Sequence, residues 1–209
     1  MPSVSVVVSS YGDPQVWQPL YQRAARSVKM QTVQPKEFIG LHRMTGPIDE
    51  VRNLAISKAT SDLVICLDAD DELEPGYVEA MLVGTGDLRY PMMRYVQDGD
   101  CVIPAPIELP KRPLAQGNYM CIGTLFPRDL FIKVGGYSSW ESWEDYHLFC
   151  KLVLYGARTN LCRNAIYRAH STKQGRCNAV KNPQALMKSI LDSLKPLELS
   201  SGISLSEVH

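Results

Sequence analysis

The first hundred residues alternate short β-branched runs with helix-period segments, and this limits the chain to a few architectures. Val4 to Ser9 reads VSVVVS and stops in the turn cluster Ser-Ser-Tyr-Gly-Asp-Pro, which marks a buried strand followed by a loop. From Gln15 to Met30, Leu20, Ala24, Ala25 and Val28 recur at helical spacing. Glu37 to Leu41 is a second short strand, and Asp49 to Ala59 returns to helical period through Val51, Leu54, Ala55 and Ile56. Leu63 to Leu67 (LVICL) is a third strand that runs directly into Asp68-Ala69-Asp70-Asp71, and Pro75-Gly76 opens a helix through Leu82. Strand and helix in strict alternation predict an α/β fold, with helices on both faces of a mostly parallel sheet.

The second half is less regular. Leu88 to Val96 and Cys101 to Ile107 read as strands around a Gly-Asp turn, and Pro104, Pro106, Pro110 and Pro113 mark a loop. Ile122 to Phe126 is a strand, Asp129 to Val134 a helix stopped by Gly135-Gly136, and Glu144 to Tyr155 a helix closed by Gly156. Asn164 to Arg168 is a final strand, and Pro183 to Leu194 an amphipathic helix before a Ser-rich end expected to fray. One domain over 1–180 is expected, with a regular first half at 1–100, a less regular second half at 101–180, and an appended helix and frayed tail at 181–209.

Composition excludes several classes. The chain has 209 residues, 22 basic against 22 acidic, and 45% hydrophobic content, which suits one globular core rather than a disordered chain. No run approaches the length of a membrane-spanning helix, and no basic segment followed by an apolar stretch opens the chain. The six cysteines include no CxxC pair, so reduced thiols and a cytoplasmic location are expected. Zero net charge argues against a general nucleic-acid coat. The charge is nevertheless segregated. Between Lys58 and Arg89 every charged residue is acidic, and between Asp145 and Asp192 every one is basic.

Ligands of parallel α/β sheets sit at the carboxyl ends of strands. Asp68 and Asp70 fall just past such an end, and two carboxylates there suit a hard divalent cation bridging to phosphate. A calcium loop requires Gly where Leu73 stands. Helix-start capping by a solvated acidic turn also fits, and so does a haloacid-dehalogenase-like phosphatase with Asp68 as nucleophile. That family, however, usually places its aspartate after the first strand and follows it with Gly-Thr.

The segments VSVVVSSYGDP, VRNLAISKATSDLVICLDADDEL, GTLFPRDLFIKVGGYSSWESWEDYHLFCKL and YRAHSTK, in this order, together resemble the family 2 glycosyltransferases. The resemblance implies a GT-A-like three-layer sandwich with a mostly parallel central sheet, and a single catalytic domain over 1–180 whose nucleotide-sugar-binding half is 1–100 and whose acceptor half is 101–180. It also implies a metal-dependent inverting transfer of a sugar from a nucleotide-diphosphate donor to an acceptor hydroxyl. It places Ser9, Tyr11, Asp13, Arg52, Asp68 and Ala69 about the nucleotide sugar, together with the basic Lys173 and Arg176. Asp68, Asp70 and His170 would hold Mn(II) or Mg(II), and Asp145, beside Glu144, would be the general base. Thr124 and Trp143 would line the acceptor or sugar pocket. Leu41-His42-Arg43 stands where many relatives carry an acid that reads uracil, so UDP, GDP and TDP donors all stay open. The acceptor class is open as well: glycan, lipid-linked, protein or modified-base DNA. A sugar-nucleotide-binding protein without catalysis is the remaining alternative.

Overall fold

A computed structural model describes residues 2–97, 100–101, 105–171 and 180–208. Its centre is an 8-stranded sheet of order β2-β1-β3-β7-β5-β8-β4, with β6 paired to β5. The strands are β1 (Val4–Tyr11), β2 (Glu37–Arg43), β3 (Leu63–Asp68), β4 (Glu72–Leu73), β5 (Leu88–Gln97), β6 (Asp100–Cys101), β7 (Leu125–Pro127) and β8 (Thr159–Ser171). β1 lies parallel between β2 and β3, and β5 lies parallel to β8, while β7 and β4 run antiparallel to their neighbours. The helices are α1 (Pro14–Lys29), α2 (Ile48–Ser57), α3 (Tyr77–Val83), α4 (Arg128–Lys133), α5 (Glu144–Leu154) and α6 (Pro183–Ser201).

Successive side chains of a strand point to opposite faces, yet Val4 to Ser10 in β1 and Leu63 to Leu67 in β3 are all buried. Both sheet faces are therefore covered, and this explains why these strands read as continuous apolar runs rather than alternations. Val6, Val8, Ile65 and Leu67 are essentially inaccessible, each contributing roughly 1.5–3 kcal/mol on burial. Gly123 marks a tight approach: a Cβ there would lie 2.4 Å from the Tyr167 ring and 2.5 Å from the Tyr77 hydroxyl.

Three expectations are corrected. The acidic segment after β3 is not only a turn, because Glu72 and Leu73 pair antiparallel with Arg168 and Tyr167. The final strand extends over Thr159–Ser171, well beyond Asn164 to Arg168, because its pairing with the whole of β5 supplies partners along its length. The C-terminal end does not fray: α6 continues to Ser201 through Pro196. Leu205 is buried, and the amides of Leu114 and Ala115 donate to the carbonyls of Val208 and Leu205. These tertiary contacts offset the backbone bond that Pro196 removes. The strand expected over Cys101 to Ile107 falls partly outside the described residues, and Ile107 itself bridges to Met93.

Candidate active site

Parallel pairing aligns the carboxyl ends of β1 and β3, with Ser9 opposite Asp68. The chain leaves β3 through a turn closed by the Asp71 amide on the Asp68 carbonyl at 3.1 Å, then re-enters the sheet as β4. This reversal folds Asp68, Asp70 and Asp71 together, with potential ligand oxygens within 4.8 Å of one another. Burial and the Asp68 charge push the Asp70 carboxyl up to about 6. Asp71 is driven upward by burial and by both neighbouring aspartates. Such mutual repulsion is what a bound cation relieves, and an all-oxygen donor set suits Mg(II) or Mn(II). The residues present therefore fit a divalent metal.

The turn is held from β8 and α1. The Tyr167 hydroxyl donates to Asp71 Oδ2 at 2.7 Å and accepts from the Asp68 amide at 3.3 Å. The His170 amide donates to Asp71 Oδ1 at 2.8 Å, and the Arg23 guanidinium donates to the Asp70 carbonyl. The His170 ring does not join the carboxylate group. Its Nε2 lies 2.7 Å from Glu72 Oε2, and burial pushes its pKa down. A neutral ring donating through Nε2 to Glu72 keeps its lone pair on Nδ1.

Arg52 of α2 connects this turn to the other half of the site. Its side chain is 7% exposed, and its guanidinium contacts Asp68 Oδ1 at 2.5 Å and pairs with Glu144 Oε1. It also lies over the Tyr137 ring, 5.4 Å from the centroid. Tyr137 is placed by Asn53, whose amide donates to the Tyr137 carbonyl at 2.9 Å and whose Oδ1 accepts from the Tyr137 amide at 2.8 Å. Lys151 Nζ holds the same loop through the carbonyls of Val134 and Gly136. Glu144 is thus engaged by Arg52, whereas Asp145 accepts from the Tyr146 amide at 2.8 Å. Burial first, and the adjacent Glu144 second, push Asp145 up to about 7, near the value that suits a general base at neutral pH. Just before this pair, Trp143 has φ 62°, a left-handed conformation unusual for an aromatic residue.

The other expected site residues are dispersed. Ser9 and Thr124 are buried, and neither hydroxyl finds a hydrogen-bond partner among the described residues. Ala69 is buried beside the turn. Tyr11 ends β1 opposite Arg43. Asp13 caps α1 by accepting from the Gln15 amide at 2.9 Å. Lys173 and Arg176 lie outside the described residues. Asp71, Tyr167, Arg23 and Tyr137 are the members that sequence reading did not assign. The alternation of YRAH along a strand could have placed Tyr167 facing the acidic turn.

Residues 34–87, which span β2 through the acidic turn to the end of α3, match the model of glycosyl transferase family 2. The chain resembles family 2. No curated protein sequence matches it. Among solved structures, S. aureus TarS 1–349 in complex with UDP-GlcNAc is 14% identical with a TM-score of 0.73, covering 98% of this chain and 68% of that one. The same fragment in complex with UDP is 15% identical with a TM-score of 0.62, covering 95% and 72%. Full TarS gives 15% and 0.59, and there the present chain spans 44% of the longer protein. Over nearly its whole length the chain therefore has the GT-A-like fold that the family 2 resemblance implies. No helix among the described residues is long and apolar enough to cross a membrane.

Proposed function

We propose that the chain is a metal-dependent, inverting glycosyltransferase that moves a sugar from a nucleotide-diphosphate donor to an acceptor hydroxyl. The observation that carries this reading is the Arg52 bridge. One buried guanidinium joins the Asp68-Asp70-Asp71 turn to the Glu144-Asp145 helix start, so a cation-binding group and a candidate base belong to one assembly. The family 2 segment and the TarS-like fold support the same reading.

Asp68, Asp70 and Asp71 would hold Mn(II) or Mg(II), with His170 Nδ1 as a further candidate ligand. The cation supplies Lewis-acid neutralisation of the departing diphosphate. Ser9, whose buried hydroxyl has no partner among the described residues, with Tyr11, Asp13 and Ala69, forms the proposed nucleotide side, and Lys173 and Arg176 remain its proposed diphosphate contacts. Asp145 takes the proton of the acceptor hydroxyl. The resulting oxygen attacks the anomeric carbon from the face opposite the diphosphate, whose bond to that carbon breaks. Arg52 pairs with Glu144 and holds it aside, which leaves Asp145 to exchange the proton. Thr124 and Trp143 are proposed to border the sugar. UDP-GlcNAc is the first donor to test because a TarS neighbour holds it, with GDP and TDP sugars beside it. The acceptor hydroxyl belongs to a glycan, lipid-linked, protein or modified-base DNA substrate, and a cytoplasmic setting is part of the proposal.

The test is turnover of UDP-, GDP- and TDP-sugars with Mn(II), followed by nucleotide release. Asp145→Asn is expected to lower kcat by about 10²–10⁴ while donor binding persists. Unchanged turnover in this variant would remove the base assignment. Full activity on simple phosphate esters, lost only on Asp68→Asn, would favour a phosphatase.

A further inference from the structure

A groove of about 680 Å³ lies between the loop leading into α5 and the first turns of α6, within the size range of small-molecule sites. Both walls are fixed. Ser139 donates to Asp49 Oδ2 at 2.8 Å, the Trp140 ring packs 5.3 Å from the His147 ring, and α6 is anchored by buried Ile190 and Leu194. The groove wall runs within three residues into Glu144, the start of the base-bearing helix.

The lining chemistry is specific. The Trp140 indole nitrogen is buried and has no partner among the described residues, so the part of the ring that borders the groove is carbon. Leu186 adds apolar surface beside it, while Glu141, Lys181, Asn182 and Ser189 supply polar groups. Asn182 Oδ1 already accepts from the Ala185 amide at 3.0 Å, which leaves its NH2 as the group for a ligand. Glu141 and Lys181 carry opposite charges, so the groove has no net field to hold a phosphate or carboxylate. Aromatic carbon flanked by mixed donors and acceptors suits a pyranose, which has an apolar C–H face and a rim of hydroxyls.

We infer that this groove is the acceptor subsite and that it takes a neutral, polyhydroxylated acceptor, a glycan chain. The inference rests on the glycosyltransferase reading for its role, but its ligand can be tested without any donor. The experiment follows the Trp140 indole N–H resonance of the ¹⁵N-labelled protein, assigned with Trp140→Phe. Maltotriose, cellotriose and chitotriose are titrated in turn, with glycerol 3-phosphate as the anionic arm. A saturable shift with at least one trisaccharide is expected, weakened ten-fold or more by Ala185→Trp, which fills the groove from an exposed helix position. The inference is overturned if no trisaccharide moves the resonance, if glycerol 3-phosphate moves it instead, or if the trisaccharide shift persists in Ala185→Trp. Stabilisation by UDP-, GDP- and TDP-sugars with Mn(II) is measured on the same samples. Its absence counts against the donor reading alone, and its persistence in Ala185→Trp separates the groove from the donor site.

Discussion

Arg52 is placed where a single residue decides both stability and chemistry. A guanidinium with its fork on two carboxylates and its face on an aromatic ring uses properties that lysine lacks. Arg52→Met leaves Asp68 and Glu144 without their shared cation, and removing one partner of a buried pair costs about 3–5 kcal/mol. The melting temperature is therefore expected to fall on the order of 10 °C, and Arg52→Lys to recover only part of it. Calorimetry of the three proteins checks this. The elevated Asp145 carboxyl gives two pH effects with opposite slopes. As a base it must be ionised, so kcat/KM is expected to rise with pH through about 7; Asp145→Asn should lose this inflection. For stability the sign reverses, because a carboxyl held above its ordinary range favours folding when protonated and loses that contribution as pH rises through about 7. The melting temperature of Asp145→Asn is therefore expected to gain on that of the wild type between pH 5 and pH 9. A constant difference across this range would contradict the burial argument.

At the scale of elements, legibility followed the range of the contacts. β1, α1, β2, α2, β3 and α3 were readable because each buries a face set by its own local period. β4 was not readable and β7 was read too long, over Ile122 to Phe126: one is two residues long and the other three, and each takes its partners from a distant strand. The same holds for the site. The acidic turn and the Glu144-Asp145 pair stood out in the sequence. Arg52 was assigned to the nucleotide, but its bond to Glu144, 92 residues away, leaves no local signal. His170 was read as a ligand from the family 2 resemblance, and its strand sets the ring's Nε2 against Glu72, a contact with no local signal in the sequence. The C-terminal segment gave the clearest departure, since Ser-rich composition points to fraying and tertiary packing overrides it. Leu205→Ala is accordingly expected to cost about 2–4 kcal/mol, read from the urea midpoint. A frayed tail would give no change.

For the whole molecule, the sheet order puts strands β2, β1 and β3 at one edge, and β7 then joins them to the β5-β8 half. The α/β class and the both-faces-covered sheet were legible from strand–helix alternation alone. How the two halves meet was not, because that junction is built from long-range contacts: the short antiparallel β7, the pairing of β4 with β8 and the Arg52 guanidinium. The GT-A-like fold fixes a place for chemistry at the carboxyl ends of β1 and β3 without stating which chemistry occurs there. The claim that most needs testing is that the aspartate turn and a nucleotide diphosphate bind one cation between them. The direct measurement is the melting temperature with UDP, GDP and TDP, each with and without Mn(II), for wild type and Asp70→Asn. A nucleotide at 100 times its Kd adds about 2.7 kcal/mol, or several degrees for a chain of this size. The account predicts that at least one nucleotide stabilises the wild type only when Mn(II) is present, and that Asp70→Asn abolishes the effect. Stabilisation that ignores Mn(II), or that survives in Asp70→Asn, would contradict it.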